Sequence, residues 1–264
     1  MTREGGYSPQ DGITVITGGA SGIGLALGRR FAQDGARVVL ADIDEGRAVR
    51  AAAELGSQHV GIGLDVTDAD AVDQAVARIE DELGPIGTWC SNAGVATPPG
   101  LGTDADWSLA WGVHVLAHVY AARTVLPRMV ARGRGHFLVT ASAAGLLTEM
   151  DVAPYAVSKH GAVALAEWLA IRHGDSGVGF SCLCPQGVRT PLLDGAPADS
   201  STLAAAPLLE PDEVAESVVR AMKEGRFLIL PHPEVAEYAR NRANDPDRWL
   251  GGMRKLWRRL HPAG

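Results

Sequence analysis

The chain has 264 residues, 46% of them hydrophobic and 21% charged, with 32 glycines and a formal net charge of −7. That is the profile of a globular protein rich in tight turns, and its charge excludes a molecule-wide phosphate-neutralising surface, so nucleic acid is not an expected partner. No apolar run long enough for a membrane span and no charged leader ahead of an apolar stretch is seen, and the three cysteines, Cys90, Cys182 and Cys184, make no disulfide framework, so a cytoplasmic protein is expected.

After a polar start over residues 1–12, strands and helices are expected to alternate. Strand 13–17 runs through a glycine cluster into a helix reaching Gln33; strand 37–41, helix 44–55, strand 59–64, helix 68–83 and strand 86–90 follow. A long helix ending near Met129, strand 136–140, a helix over 155–172, strand 178–183, a helix after Pro211 and strand 227–230 complete the series. Short apolar strands alternating with longer helices require right-handed crossovers, so the expected fold is α/β: a Rossmann-like doubly wound parallel sheet in a single domain. That domain spans 13–231, with 191–208 as a candidate substrate lid, and 232–264 is a helical extension of it. In the tail, Trp249, Met253, Leu256 and Leu260 recur at near-helical spacing opposite Arg254, Lys255, Arg258 and Arg259. Packing against the domain or a neighbouring subunit is expected there, not a membrane.

Between the first strand and helix lie Gly18, Gly22 and Gly24, with Ser21 and Ile23 among them. Glycines at such a turn let a helix N-terminus approach a pyrophosphate, although a plain βα turn has the same composition. Asp42 closes the second strand, where a carboxylate accepts hydrogen bonds from adenosine ribose hydroxyls and repels a 2′-phosphate; Asp44 is better placed to cap the next helix. Asp65 and the run Ser91-Asn92-Ala93-Gly94 follow the third and fourth strands, at the carboxyl edge where open α/β sheets bind ligands.

The most specific pattern is Tyr155-Ala156-Val157-Ser158-Lys159. With 4 Tyr and 3 Lys in the chain, a Tyr-x-x-x-Lys arises by chance ~0.05 times. On a helix the two share a face, so the ammonium favours the phenolate and is expected to lower the phenol from its ordinary value, preparing a general acid/base. Ser142, at the end of the fifth strand, can hydrogen-bond a reacting oxygen. His136, His160 and His173 have no partners at ligand spacing, and no metal is expected.

Over residues 12–230 the sequence resembles the short-chain dehydrogenase/reductase family. The likeness rests on the turn Thr17 to Gly24, the acidic selector Asp42, Asp65-Val66, Asn92-Ala93-Gly94, Ser142, Tyr155 with Lys159, and Pro185-Gln186-Gly187-Val188-Arg189-Thr190. The resemblance implies reversible hydride transfer between NAD and a small-molecule alcohol or ketone. Tyr155 takes the alcohol proton, Ser142 holds the oxygen, and Lys159 binds nicotinamide ribose and tunes Tyr155. It further implies that Gly18, Ser21, Gly22, Ile23, Gly24, Asp42, Asp65, Val66, Asn92, Ala93, Gly94, Pro185, Gly187, Val188 and Thr190 hold the cofactor, and that the protein is a homotetramer or homodimer. The alternative on the same fold is a non-catalytic NAD-binding sensor.

Three positions depart from the family pattern: Ser91 and His114 stand where it has Asn, and Gln186 where it has Gly. In the family, the Asn at the position of His114 helps hold a water that links the lysine to solvent. Either the backbone carbonyl keeps that role, or the imidazole takes it and titrates near its ordinary 6.5 beside Lys159. Leu146, Leu147, Met150, Val152, Leu192 and Leu193 are expected around the substrate, which favours a hydrophobic alcohol.

Overall fold

The alternating strands form one sheet. β1 (Ile13–Thr17), β2 (Val38–Asp42), β3 (Val60–Gly63), β4 (Ile86–Ser91), β5 (Gly135–Thr140), β6 (Val178–Leu183) and β7 (Leu228–Ile229) all pair in parallel, in the order β3-β2-β1-β4-β5-β6-β7. The computed structural model describes residues 7–9, 11–194 and 207–262, so most of the candidate lid, 195–206, and positions 1–6, 10 and 263–264 lie outside the described residues. Strand order reverses between β1 and β4, which opens a crevice at their carboxyl ends.

The helices are α1 (Gly22–Gln33), α2 (Glu45–Leu55), α3 (Ala69–Leu83), α4 (Asp104–Trp111), α5 (Ala117–Arg132), α6 (Ala144–Leu147), α7 (Ala153–His173), α8 (Pro211–Lys223), α9 (Glu234–Asn244) and α10 (Pro246–Leu260). Both faces of the sheet are covered. On one, Val15, Trp89, Phe137 and Val139 meet Val76 of α3, Val125 of α5 and Ala162 of α7. On the other, Ile16, Leu40, Leu138 and Leu183 meet Leu27 of α1, Ala52 of α2 and Val218 of α8. Burial on both faces is why these strands read as continuous apolar runs instead of alternating ones.

Two local features differ from the sequence expectation. The long helix is interrupted by a π turn, Gly112–Leu116, between α4 and α5. A π turn inserts an extra residue and re-aims its side chains, which 3.6-residue periodicity does not foresee. A single helical turn, α6, follows Ser142, too short to show a period. Asp42 belongs to β2 itself, paired with Gly63 of β3. Asp44 caps α2 as expected, accepting the Arg47 N–H at 2.9 Å, which leaves Asp42 free for other work.

The extension beyond β7 folds back as two helices. Along α10, Trp249, Met253, Leu256 and Leu260 are half-buried while Arg254, Lys255, Arg258 and Arg259 are exposed. Trp249 packs with Val235 and Tyr238 of α9 beside Leu147 of α6, so the apolar stripe of the tail faces its own chain. Among the described residues no helix is long and apolar enough to cross a membrane.

Candidate active site

Because the strands are parallel, β1, β2, β4, β5 and β6 deliver the loops that follow them to one edge, and the sequence-predicted residues converge there. Gly18 sits at φ 62°, a left-handed turn that favours glycine. A Cβ on Gly24 would lie 2.1 Å from the Gly18 carbonyl oxygen, so any other residue would break the turn. Ser21 caps α1 without a side-chain hydrogen bond, and the first turn carries no acidic residue. The first N–H groups of α1 are thus left open to an anion. Asn92 closes the turn from β4: its Nδ2 donates to the Thr17 carbonyl at 3.0 Å, and the Asn92 and Ala93 N–H groups donate to Thr17 Oγ1 at 2.9 and 3.1 Å. The Asn92 amide therefore holds the glycine turn in place.

Asp42 is pinned at the mouth of the same turn. Its Oδ2 accepts the Ala20 N–H at 3.1 Å and its Oδ1 the Asp44 N–H at 3.2 Å. Each oxygen keeps a second lone pair for a ligand hydroxyl. Asp65 spends Oδ1 on the Thr67 N–H at 2.8 Å and hydroxyl at 2.6 Å, an exposed turn at the end of β3. Thr190 lies over Gly22, within 3.0 Å of where a Cβ there would stand. A glycine turn with open amides, a fixed carboxylate and a roof from the β6 loop fits a dinucleotide.

Across the crevice, α7 carries Tyr155 and Lys159 on one face. Lys159, only 3% exposed, donates from Nζ to the Thr140 carbonyl at 3.0 Å. Burial lowers its ammonium to about 8. Burial likewise raises the Tyr155 phenol above its ordinary 10, partly offset by the hydroxyl of Ser142, while Glu149 adds to the rise. The expected lowering of the phenol by Lys159 is not what the protein alone produces. The ammonium donates to the Thr140 carbonyl and stands 5.7 Å from the phenol ring centroid, and burial is the larger influence on the phenol. Ser142 Oγ accepts the Ala144 N–H at 3.1 Å and donates weakly to the Pro185 carbonyl at 3.4 Å.

His114 is wholly buried on the π turn, its ring edge-on to Tyr155 with centroids 5.4 Å apart. Nε2 accepts the Val95 N–H at 3.1 Å, so the ring proton sits on Nδ1 and is donated to Ser158 Oγ at 2.9 Å. Burial, with the nearby Lys159 charge, pushes this imidazole well below 6.5. The alternative in which the imidazole titrates near 6.5 is therefore corrected: both nitrogens are committed, and the ring ties the loop after β4 to α7. Sequence reasoning missed His118, which contacts Ser91 Oγ through Nδ1 at 2.6 Å. It also missed His232, whose Nδ1 accepts the Gln186 N–H at 3.2 Å. Neither has a local sequence signal, since each partner is far along the chain.

Part of the expected substrate wall is also corrected. Leu146 and Leu147 pack against Val235, Tyr238 and Trp249 of the C-terminal hairpin. Met150 lines a cavity of about 810 Å³ with Pro99, Leu101, Val157, Trp257 and His261. That cavity is also lined by Glu149, Ala153 and Ala156. Leu192 and Leu193, on the turn after Thr190, are not taken up by the core.

The model of the family "short chain dehydrogenase" matches residues 12–200. The chain is 36% identical over 253 residues, 89% of its length and 88% of the relative's, to a 1-deoxy-11-beta-hydroxypentalenate dehydrogenase of Streptomyces exfoliatus. It is 32% identical over 228 residues to a cis-4-hydroxycyclohexanecarboxylate dehydrogenase of Sinomonas cyclohexanicum, covering 83% of this chain and 92% of that one. A crystal structure of a short chain dehydrogenase/reductase from Burkholderia phymatum in complex with NAD superposes with a TM-score of 0.82 at 31% identity, over 91% of this chain and 96% of that one.

The histidine geometry is open to direct observation. Nitrogen-15 NMR of the protein at pH 6 is expected to show His114 as the neutral Nδ1–H tautomer; an imidazolium signal there would contradict the two-sided hydrogen bonding.

Proposed function

Because the chain belongs to the short-chain dehydrogenase family and is an oxidoreductase of hydroxyl or ketone substrates, we propose that it moves hydride reversibly between NAD(H) and an apolar cyclic secondary alcohol or its ketone. The observation that carries this reading is the meeting of the Tyr155 phenol and the Ser142 hydroxyl, with Lys159 buried on the same helix face, at the sheet edge that also bears the glycine turn.

The nicotinamide ring, when bound, accepts or returns the hydride. Ser142 holds the substrate oxygen, and Tyr155 Oη takes the hydroxyl proton in oxidation and gives it back in reduction. A phenol raised by burial favours its protonated form, so the reactive phenolate needs a cation. Lys159 is desolvated and immobile beside it, where its charge acts at low dielectric. His114 is a positioning residue, locked to Ser158 one position before Lys159.

Gly18, Ser21, Gly22, Ile23 and Gly24 would cradle the pyrophosphate, Asp65 and Val66 the adenine, and Asn92 to Gly94 with Pro185, Gly187, Val188 and Thr190 the nicotinamide half. Asp42 selects NAD: no cation stands at Ala20 or Ser21 to receive a 2′-phosphate. Ile43, 77% exposed beside Asp42, adds an apolar surface for adenine. The NAD complex of the Burkholderia relative supports the choice. The cyclic substrate is supported by the names of relatives, among them the cyclohexanecarboxylate enzyme and a 2,5-dichloro-2,5-cyclohexadiene-1,4-diol dehydrogenase of Sphingobium indicum. Free, buried Cys90, Cys182 and Cys184 fit a reducing cytoplasm. A homodimer or homotetramer has a face to form on, since Val157, Trp168 and Ile171 of α7 are exposed, Ile171 at 86%.

Asp42→Ala is expected to erase an NAD over NADP preference of about tenfold in kcat/KM, ~1.4 kcal/mol; equal use of both cofactors by the wild type would refute the selector. Tyr155→Phe is expected to lose about 100-fold or more in kcat while NADH still binds in a fluorescence titration. Retention of more than about a tenth of wild-type kcat would remove Tyr155 from the chemistry. Light scattering is expected to give a dimer or tetramer mass that Trp168→Glu with Ile171→Glu reduces; a wild-type monomer would end the oligomer proposal.

A further inference from the structure

Resting on the dehydrogenase reading, we infer that Arg242 is a positioning residue: from the C-terminal hairpin, its guanidinium braces the helical turn after Ser142 against the helix that carries Tyr155 and Lys159. It lies outside the stretch 12–200 matched by the family model.

The turn in question is α6. Its last carbonyls have no following turn to accept from, because the chain leaves at Thr148 with φ 74°. Arg242 Nη1 donates to the Leu146 carbonyl. The same nitrogen stands 3.3 Å from His160 Nε2. A guanidinium only donates, so His160 accepts at Nε2 and carries its proton on Nδ1, which it donates to the Ala156 carbonyl at 2.8 Å. Ala156 and His160 directly follow Tyr155 and Lys159, so the brace ends in the catalytic turn of α7.

The other flank of α6 allows no slack. A Cβ on Gly145 would stand 2.4 Å from the Lys159 carbonyl oxygen, so α6 and α7 touch backbone to backbone. Ala143 and Leu147 are buried against Val235 of α9, with Leu146, Tyr238 and Trp249 around them. Movement of α6 passes straight to Ser142, whose Oγ accepts the Ala144 N–H at 3.1 Å and whose carbonyl accepts the Gly145 N–H at 2.9 Å. The spacing between Ser142 and Tyr155 is thus set from outside the crevice. A small shift in such a pair is costly in rate and leaves the distant glycine turn untouched.

The test compares full-length wild type, Arg242→Met and Arg242→Lys by steady-state kinetics with NAD, NADH titration, thermal melting and amide hydrogen exchange of the protein without cofactor. Arg242→Met is expected to lose about ten- to a hundredfold in kcat with NADH affinity changed less than about twofold. Exchange should quicken over residues 143–148 and stay unchanged over 18–24. Arg242→Lys should recover part of the loss, since an ammonium keeps donors for the two acceptors but on a flexible stem without the fixed plane of the guanidinium. Unchanged kcat or unchanged exchange in Arg242→Met overturns the brace. So does a joint fall of kcat, NADH affinity and melting temperature that lysine does not relieve, which marks a general support of the fold. If Arg242→Met does not fold, wild-type kcat in Arg242→Lys overturns it and a partial loss upholds it. A wild type that turns over no alcohol or ketone defeats the dehydrogenase reading by itself, and the exchange pattern then decides the brace.

Discussion

Lys159 places an ammonium where almost no solvent reaches and gives it the Thr140 carbonyl at 3.0 Å. A buried cation is costly unless its surroundings are fixed, and most of the site serves that fixing. The bond fastens α7 to the end of β5, two residues before Ser142. The carbonyl of Lys159 in turn forms the surface on which Gly145 packs. Lys159, through its side chain and its own carbonyl, therefore helps set the separation of the strand end, the turn after it and the helix that bears the phenol. The same burial that lowers the ammonium to about 8 also raises the phenol.

Neutral histidines do the remaining tying. His114 joins the loop after β4 to Ser158, and His118 joins α5 to Ser91 at the end of β4, with burial lowering His118 to about 3. His232 holds the Gln186 N–H in the β6 loop. Each sits in an interior that penalises an imidazolium, so these rings act as fixed hydrogen-bonding struts. The π turn makes the first of them possible by re-aiming His114 within an otherwise continuous helix.

The C-terminal hairpin changes what the apolar residues near the site mean. A run such as Leu146-Leu147 shortly before Tyr155 reads as a substrate wall, yet Val235, Tyr238 and Trp249 of α9 and α10 pack against it. The apolar character that faces a substrate cannot be counted from sequence position when an element 90 residues downstream competes for the same surface.

Sheet class, strand bounds within a residue or two, the glycine turn, Asp42 and the Tyr155–Lys159 pair were legible because each is a local matter. Apolar runs, turn residues and an i, i+4 spacing are dictated by neighbours in the chain. That Asp44 and not Asp42 caps α2 follows from the same short-range logic. The direction in which Tyr155 is shifted, the neutrality of His114, the pairing of Ser91 with His118 and the grip of Arg242 on Leu146 were decided only by folding. Burial and long-range hydrogen bonds depend on which distant segments arrive at the same place, and no periodicity in the sequence records that arrival.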